Sequence, residues 1–592
     1  MTETPGQEPL PWLERLDALL RSAPVKTGLY LFIAAMAVRV LYLSQYATTP
    51  FFWVPQMDAL YHDLAAQAVA AGKASHEPFF RAPLYYYFLG GVYRLFGHSY
   101  WAARLAQALI GSGSCVLLYA LGGRMFRPTV ALLAAAAMAL YGPLVYFDGE
   151  LHTPVLEVFL DLAFLLALVR ARESAAWKGW LAAGLLLGLS AITRPNVLVA
   201  APLALAWLWT APAFHTAIPG GKLRPAAVAA FLAATALAPG LATLRNSLVS
   251  GDRIFIASQG GINLYLGNRP EADGFTPSTP TRYRFDTAYE DSVALYGRKA
   301  AEEALGRPLK PSEAQRYWIG RVLDWWARHP AAALQLTAKK WVLAWGSREI
   351  RNNTSFDFIR AEFAPYLWLA PFGFWFAGGF GLLGMLLAWR ARPESRLLSG
   401  FALLYTASFV LFFVADRFRL PVVPVLLLFA AYAVVTLAEQ LRAPSRRGLA
   451  STLALAAVCL LAVNVEWVRT ATPATYALDH WSAGNRYRQM GRFPEAEAQY
   501  RKALALDANN AEIWTNLGAA QYYSGRPEEA EASFQRSIRL DPQNGSGYYN
   551  LAMCELQLGR RQNGRKLLEE AVRRDPEHAG ARAELVKLAQ GA

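Results

Sequence analysis

Long apolar stretches follow one another along most of the chain, and an amphipathic pattern replaces them near residue 470. Stretches such as TGLYLFIAAMAVRVLYL, ALLAAAAMALYGPLVYF and LALAAVCLLAVNVEWV are close to the roughly 20 apolar residues that cross a hydrocarbon layer of ~30 Å. They lack the polar stripe of a helix on the surface of a soluble domain. The pattern therefore predicts an all-α, polytopic membrane protein with a soluble C-terminal region.

About eleven transmembrane helices account for these stretches. The first follows 26 polar and mixed residues, and because no small-residue cleavage site comes after it, we interpret it as a retained span. Residues 1–26 then form a cytoplasmic segment and residues 27–470 the membrane domain. The predicted spans lie near residues 27–45, 101–121, 129–147, 154–170, 178–193, 196–212, 225–244, 364–389, 397–414, 419–438 and 449–468.

Basic clusters orient these spans, because short cytoplasmic loops are enriched in lysine and arginine. All the clusters fall on one side of the predicted membrane: Lys26, Arg124 and Arg127, RARESAAWK, the stretch around Lys222 and Arg224, WRARPESR, and LRAPSRRG. The N-terminus is therefore inside, and an odd number of spans places the C-terminus outside. Two long loops, 46–100 and 245–362, also face outward.

The same basic loops explain the formal net charge of +14, so nucleic acid is not an expected partner. The cysteines do not indicate a functional site. Cys115, Cys459 and Cys554 are far apart in the sequence and indicate neither a disulfide framework nor a metal-binding knuckle.

The outer loops are expected to contain helices of their own. Loop 245–362 is too long for a bare connection, and its stretch SEAQRYWIGRVLDWWARHPAAALQLTAKKWVLAW has amphipathic spacing. In the first loop, PLYYYFLGGVYRLFG (residues 83–97) is too short and too aromatic for a span and predicts an interfacial helix. The tryptophans of the long loop are suited to the membrane interface: Trp318, Trp325, Trp326, Trp341 and Trp345.

A 34-residue repeat organises the soluble region. Residues 511–544 carry the tetratricopeptide pattern, with matching residues one period earlier and one period later. Three repeats and a capping helix predict a minimal α-solenoid in residues 477–592, which indicates a docking surface rather than a chemistry. The repeats are 477–510, 511–544 and 545–578, and the pattern residues of the central one are Trp514, Leu517, Gly518, Ala530, Phe534 and Pro542.

Asp58 opens the stretch DALYHDLAAQAV, just beyond the first span. Two roles fit this position. At the start of a helix, its side chain can accept hydrogen bonds from the free amides of the first turn. At a membrane face, the same carboxylate can remove a proton from a substrate.

Three further stretches place ionisable residues outside the membrane or at its edge, where charges are costly and often functional. Structural roles are also open, because arginines extend to lipid headgroups and an aspartate can cap a helix. A histidine here fits a polar turn better than a metal site. The residues are Arg81 before the interfacial helix, Asp148, Glu150 and His152 after the third span, and Arg194 in an outer hairpin.

Two later stretches carry candidate binding residues. In ADRFRLPVVP, Arg417 and Arg419 suit a phosphate through forked hydrogen bonds, or extend to headgroups beside a proline-broken helix. QGGINLYLGNRPEADGF lacks the spacing of a P-loop. It is either a sugar-facing loop, with Tyr265, Asn263 and Asn268, or an ordinary connection.

The order of these features resembles the GT-C glycosyltransferases that use polyprenyl-phosphate sugars, such as protein O-mannosyltransferases and lipid A aminoarabinose transferases. The resemblance covers roughly residues 27–440. It rests on an aspartate in the first outer loop, a basic residue before Pro-Leu-Tyr, an acidic turn after the third span, TRPN between the fifth and sixth spans, and the late arginine motif.

The resemblance implies a role for each candidate. Asp58 would be the catalytic base, Arg81 would contact the donor phosphate, and Glu150 or Asp148 would be a second functional acid, with Glu150 preferred. Further phosphate-binding candidates are Arg417, Arg419 and Arg194, and further substrate-binding candidates are Asp148, His152, Tyr61, Tyr265 and Asn268. The aminoarabinose enzymes usually show Asp-Glu where this chain has Asp58-Ala59, so a divalent metal stays an open cofactor.

The expected reaction transfers a sugar from a polyprenyl-phosphate donor to a protein, lipid or glycan acceptor, with inversion, on the outer face of a bacterial cytoplasmic membrane. The repeats are similar to those that some eukaryotic O-mannosyltransferases carry and are expected to recruit an acceptor. An O-antigen ligase or polymerase using a diphosphate-linked glycan is an alternative, although it would place its main functional loop later. A non-enzymatic scaffold that presents the repeats is another, and it leaves the charged outer turns unexplained.

Overall fold

The computed structural model describes residues 11–73, 75, 77–174, 176–210, 223–276, 289–442 and 446–590. These residues form helices and no strand, which confirms the all-α prediction. They divide into two compact units. The membrane unit contains the residues up to Tyr46 and Pro55–Val468, and the repeat unit contains Ala47–Val54 and the residues from Arg469 onward.

Twenty-two α-helices precede the repeats in the described residues. They are α1 (Pro11–Ser22), α2 (Pro24–Tyr46), α3 (Pro50–Trp53), α4 (Asp58–Ala70), α5 (Leu84–Phe96), α6 (Tyr100–Met125), α7 (Pro128–Ala139), α8 (Gly142–Gly149), α9 (Pro154–Glu173), α10 (Trp177–Ala191), α11 (Ala200–Trp209), α12 (Leu223–Ser250), α13 (Gly260–Leu266), α14 (Tyr289–Leu305), α15 (Pro311–Arg328), α16 (Pro330–Trp345), α17 (Phe356–Phe358), α18 (Phe374–Ala391), α19 (Arg396–Val410), α20 (Asp416–Arg419), α21 (Val423–Arg442) and α22 (Arg446–Asn464).

Five of these helices are long and apolar enough to cross a membrane: α2, α6, α12, α18 and α21. Shorter apolar helices occupy Pro128–Ala139, Pro195–Trp209 and Gly448–Asn464. This is the pattern of a multi-pass membrane protein, whereas the count of eleven spans stays a prediction. Lys222 and the last two residues of the predicted span 196–212 lie outside the described residues.

The predicted span 129–147 is two helices, α7 and α8, so a single continuous helix there was wrong. At the break, the Gly142 amide donates to the Phe372 carbonyl at 2.9 Å, and the Phe372 amide donates to the Leu140 carbonyl at 3.2 Å. A Cβ on Gly142 would lie 2.9 Å from the Ala370 carbonyl oxygen, so a larger residue would prevent this approach. Hydropathy does not reveal the break, because both halves are apolar.

The long outer loop contains α13 to α17, in agreement with the expectation from its length. Its amphipathic stretch divides at Pro330 into α15 and α16, since proline begins a helix more readily than it continues one. The predicted span 364–389 begins instead as a 3₁₀ turn, Pro365–Leu369, followed by α18. The aromatic segment of the first loop forms helix α5, as predicted.

Small residues bring α10 and α12 into close contact. A Cβ on Gly184 would lie 2.4 Å from the Phe231 carbonyl oxygen, and one on Gly188 would lie 2.6 Å from that of Thr235. The two glycines are one turn apart on a single face of α10, so the helix backbones approach as small-residue interfaces in membranes do.

The repeat unit is a row of paired helices. Equivalent contacts recur in it: Gly484 lies under the ring of Tyr500 and Gly518 under the ring of Phe534, and a Cβ at either glycine would overlap the ring. The small residues of the repeat are therefore needed where the two helices of each pair cross. The helices are α23 (Pro473–Gln489), α24 (Phe493–Leu506), α25 (Ala511–Tyr523), α26 (Pro527–Leu540), α27 (Gly545–Gln557), α28 (Arg561–Arg574) and α29 (Ala579–Ala589).

A short segment from the first outer loop, Ala47–Val54, belongs to the repeat unit. The Arg486 side chain of α23 donates to the Val54 carbonyl at 3.1 Å and lies 4.4 Å from the ring of Phe51. The sequence pattern assigned this segment to the membrane domain, since the contact that joins it to the repeats links residues 432 positions apart.

Candidate functional site

The site forms around Asp58, the first residue of α4. Met57 precedes the helix, and its positive φ of 52° is a left-handed backbone angle just before the first turn. The Asp58 side chain is almost completely buried, with 2% of its residue surface exposed. Its side chain contacts other side chains of the membrane unit, and the N-cap position of α4 belongs to Met57, which makes no side-chain cap.

Two arginines bind the two oxygens of this carboxylate. Arg81 Nη2 lies 2.7 Å from Asp58 Oδ1, and Arg417 forms an ion pair with Oδ2. Asn352 also approaches Oδ2, with its amide nitrogen at 3.4 Å. Since guanidinium groups stabilise the ionised form of a carboxylate, this arrangement holds Asp58 as a buried anion.

His152 completes the cluster, with Nε2 at 2.9 Å from Asp58 Oδ2. Its Nδ1 accepts a hydrogen bond from the Thr153 amide at 2.8 Å, so the proton of the neutral ring is on Nε2 and is donated to Asp58. Burial and the charge of Arg417 lower the pKa of His152 to about 3, which keeps the ring neutral. Arg417 also approaches Nε2 closely. Because that nitrogen carries the proton, Arg417 donates to Asp58 rather than to the ring.

Helix α6 fixes the turn that carries His152. Arg104 donates to the Gly149 carbonyl at 2.7 Å, and Gln107 donates to the carbonyls of Asp148 and Glu150, both at 2.8 Å. The turn is therefore positioned through its backbone, which leaves its side chains available for other contacts.

Asp148 and Glu150, the two predicted acids of this turn, have separate partners. The Asp148 carboxylate is paired with Arg39 of α2 at 2.6 Å, and both groups are buried. Glu150 accepts a hydrogen bond from the hydroxyl of Tyr46. The predicted second catalytic acid at Glu150 stays a prediction, because the turn residue that the structure brings onto Asp58 is His152.

Arg194 lies beside the cluster. Its Nε is 2.9 Å from Glu157 Oε2, and its guanidinium lies 4.5 Å from the ring of Phe418. The guanidinium of Arg417 lies 4.9 Å from the same ring. Arg194 and Arg417 therefore share one aromatic neighbour, and Arg194 pairs with a buried acid rather than extending to lipid.

Arg419, only two residues after Arg417, has a different environment. It pairs with Glu349 at 2.7 Å, donates to the Arg348 carbonyl at 2.8 Å and lies 4.0 Å from the ring of Phe374. These contacts fix the outer loop against α18 and α20. Of the two predicted phosphate ligands in this motif, only Arg417 reaches Asp58.

Of the remaining candidates, Tyr61 lies next to the site, whereas Tyr265 and Asn268 contact other parts of the outer loop. The Arg81 guanidinium lies 5.3 Å from the ring of Tyr61. Tyr265 packs on Trp318, with ring centroids 4.4 Å apart. Asn268 donates to the Leu264 and Leu411 carbonyls at 2.8 and 2.7 Å and accepts from Lys340 at 2.8 Å. The contacts of Tyr265 and Asn268 favour the ordinary connection over a sugar-facing loop.

Three residues near the site were not predicted. His62 is one turn after Asp58 and 1% exposed, and a helical i, i+4 pattern would have placed it on the same face. Asn352 and Glu157 had no comparable signal, because Asn352 lies 294 residues from Asp58 in the sequence and Glu157 lies within an apolar stretch.

No group of three or more His, Cys, Asp or Glu side chains in the described ranges is arranged to hold a metal ion. The two guanidinium groups that pair with Asp58 are of a kind that binds phosphate as well as carboxylate.

Residues 80–240 match the family model described as dolichyl-phosphate-mannose-protein mannosyltransferase. The chain carries a mannosyltransferase-like domain of the GT-C type. The match includes Arg81, His152 and Arg194, whereas Asp58 and Arg417 lie outside it. It supports a membrane glycosyltransferase of the GT-C kind, in agreement with the resemblance read from the sequence.

The soluble region matches two tetratricopeptide models, over residues 484–525 and 515–579, which confirms the predicted repeats after the mannosyltransferase-like domain. Solved structures similar to this region include the first TPR of Spaghetti (RPAP3) bound to an HSP90 peptide, with 23% identity over 20% of this chain and 95% of that chain and a TM-score of 0.20. The Sgt2 TPR domain from Aspergillus fumigatus has 17% identity over 21% of this chain and 83% of that chain, with a TM-score of 0.20. No curated protein matches the sequence.

Proposed function

We propose that this protein transfers a sugar from a polyprenyl-phosphate donor to a protein, lipid or glycan acceptor on the outer face of a membrane. The observation that supports this reaction most directly is the buried Asp58 carboxylate between Arg81 and Arg417. The family match over residues 80–240 adds support for the donor class, since dolichyl-phosphate mannose is named in that family's description.

Asp58 is the proposed base. The acceptor oxygen or nitrogen attacks the anomeric carbon as its proton passes to Asp58 Oδ2, and the bond between that carbon and the phosphate oxygen breaks. The oxygen keeps the bonding electron pair. A single displacement of this kind inverts the anomeric centre.

Arg81 and Arg417 are the proposed phosphate ligands. The leaving polyprenyl phosphate gains one negative charge when the sugar departs, and fixed guanidinium groups stabilise charge that develops in the transition state. Both arginines are paired with Asp58. A donor phosphate would compete for them and free the carboxylate to act as a base.

Glu150 remains a second candidate acid, held by Tyr46, and Arg194 a further candidate for the phosphate. His152 has a clearer proposed role. Its Nε2–H orients the Asp58 carboxylate, and its neutral ring avoids adding a third charge beside the two arginines.

The outer face of a bacterial cytoplasmic membrane is the proposed location, because the basic clusters of the sequence favour the opposite side as cytoplasmic. We propose that the tetratricopeptide repeats bind a protein acceptor, or another envelope protein if the acceptor is a lipid or glycan, since repeats of this type present extended binding surfaces.

Incubation of the purified full-length protein with polyprenyl-phosphate sugars and, separately, with polyprenyl-diphosphate glycans tests the proposal. Release of polyprenyl phosphate and transfer of the sugar are measured with and without acceptor. Turnover of the phosphate-linked donor alone is expected. Use of only the diphosphate-linked glycan would favour the ligase alternative, and no turnover of either donor would favour a scaffold.

A further inference from the structure

His62 is buried beside the proposed base, and both of its ring nitrogens lack a hydrogen-bond partner in the structure. The residue follows Asp58 by four positions on α4, so the two side chains lie one turn apart on one face. Buried polar groups are almost always paired, and an exception at a candidate active site calls for a functional explanation.

The neighbouring side chains do not satisfy this ring. His152 lies 5.5 Å away between ring centroids, and its own nitrogens face Asp58 and Thr153. Tyr85 lies 4.8 Å away, and its hydroxyl donates to Gln107. These two rings and that of Tyr61, at 5.5 Å, meet His62 edge to face, which fixes the plane of its ring without using its nitrogens.

The ring is neutral. Burial, with the positive charges near it, lowers the pKa of His62 well below its ordinary value. A neutral imidazole offers one N–H donor and one acceptor nitrogen. A hydroxyl group both donates and accepts, and it carries no charge that would need a counter-ion in this buried place.

We propose that His62 binds a hydroxyl group of the substrate, next to the hydroxyl or amine that Asp58 deprotonates. This inference rests on the proposed function. The hydroxyl can come from the sugar of the donor or from the acceptor, and both would bring the same hydrogen-bonding chemistry to the ring. Tyr61, whose ring centroid lies 5.5 Å from that of His62, is partly exposed, and the Arg81 guanidinium lies 5.3 Å from the Tyr61 ring.

The test compares His62→Phe with wild type, using dolichyl-phosphate mannose and a Ser/Thr-rich peptide acceptor. Phenylalanine keeps a flat ring against His152 and Tyr85 but removes both nitrogens. We expect kcat/KM to fall roughly 5- to 100-fold, the range for a buried hydroxyl left without its partner. His62→Gln, which restores a donor and an acceptor, is expected to recover part of the loss.

Two arms identify the source of the hydroxyl. If it belongs to the sugar, one monodeoxy-mannose donor slows the wild type but does not slow His62→Phe further, since both changes remove the same contact. If it belongs to the acceptor, His62→Phe keeps the wild-type rate of donor hydrolysis without acceptor and loses only transfer. His98→Phe is the matched control, because His98 pairs with Asp63 and its side chain is 43% exposed.

A purely structural His62 gives a different result. His62→Phe would then have wild-type kinetics with both substrates and a higher Tm, because an unpaired buried polar group would have been removed. That outcome overturns the inference while leaving the proposed function standing. A wild-type protein that turns over no polyprenyl-phosphate sugar would instead overturn both.

Discussion

His152 Nε2 lies 2.9 Å from Asp58 Oδ2, although the two residues are 94 positions apart in the sequence. The tautomer of the histidine follows from its other nitrogen, which accepts from the Thr153 amide. The contact therefore has a direction: the ring donates to the carboxylate. An oxygen that accepts from His152 and pairs with Arg417 is held in a defined orientation.

Replacement of the proposed base tests its role directly. Asp58→Asn keeps the size of the side chain and removes its basicity. We expect turnover to fall about 10²- to 10⁴-fold, the range for loss of a general base. Asp63→Asn on the same helix is the control, since Asp63 contacts Tyr93 and His98 instead. Wild-type turnover in Asp58→Asn, measured per folded protein, would remove Asp58 as the base.

Arg81 is expected to act on the donor. Arg81→Ala should lower kcat/KM for the donor about 10- to 100-fold, because a charge-assisted hydrogen bond to the phosphate is lost. Arg81→Lys should recover part of it, since lysine keeps the charge but not the fork. Arg94→Ala, on the exposed face of α5, is the control. Unchanged donor kinetics in Arg81→Ala would exclude the phosphate contact.

The neutral His152 predicts a pH dependence of stability. Its pKa is about 3 in the folded protein against an ordinary 6.5, so the unfolded chain binds more protons between these values. The contribution of His152 to the free energy of unfolding is fully present above pH 6.5. It falls as the pH decreases toward 3, by up to about 1.4 kcal/mol per pH unit. When Tm is measured at a series of pH values, it should fall less steeply with decreasing pH for His152→Gln than for the wild type. Parallel curves for the two proteins would contradict this assignment.

The orientation of the membrane unit can be tested by cysteine labelling. The native cysteines, Cys115, Cys459 and Cys554, are all buried, so their background should be low. An impermeant reagent should label Lys73→Cys and Glu528→Cys in intact spheroplasts, and Glu394→Cys only after lysis, because Glu394 lies in a predicted cytoplasmic loop. All three positions are exposed. The reverse pattern would place Asp58 on the wrong side for the proposed reaction.

Acceptor binding by the repeats is tested at Tyr523, an aromatic side chain that is 62% exposed and stacks on Phe493 at 5.6 Å. Tyr523→Ala should raise KM for a full-length protein acceptor, by severalfold, more than for a short acceptor peptide. A buried aromatic contact at an interface contributes on the order of 1–2 kcal/mol. Val586→Ala, at a similarly exposed position in α29, is the control. Equal effects on both acceptors would favour a structural role for the repeats.

Local patterns accounted for much of the architecture. Apolar stretches marked the membrane helices, and the 34-residue period marked the repeats, because burial in lipid and packing between neighbouring helices both leave a signal within a short window. Ionisable residues at the ends of apolar stretches marked Asp58, Arg81, His152 and Arg417 as candidates, since ionisable groups at such positions are costly and often functional.

Tertiary structure decided which candidates meet. Arg417 is 359 residues from Asp58, and no local period links them, so only folding shows that Arg417 reaches the carboxylate while Arg419 binds Glu349. The same holds for the break at Gly142, which depends on residues near 370, and for Ala47–Val54, which joins the repeat unit through Arg486. The sequence by itself determined the helices and the inventory of charges; long-range packing determined their partners, because each buried charge pairs with whatever group the fold brings within hydrogen-bonding distance.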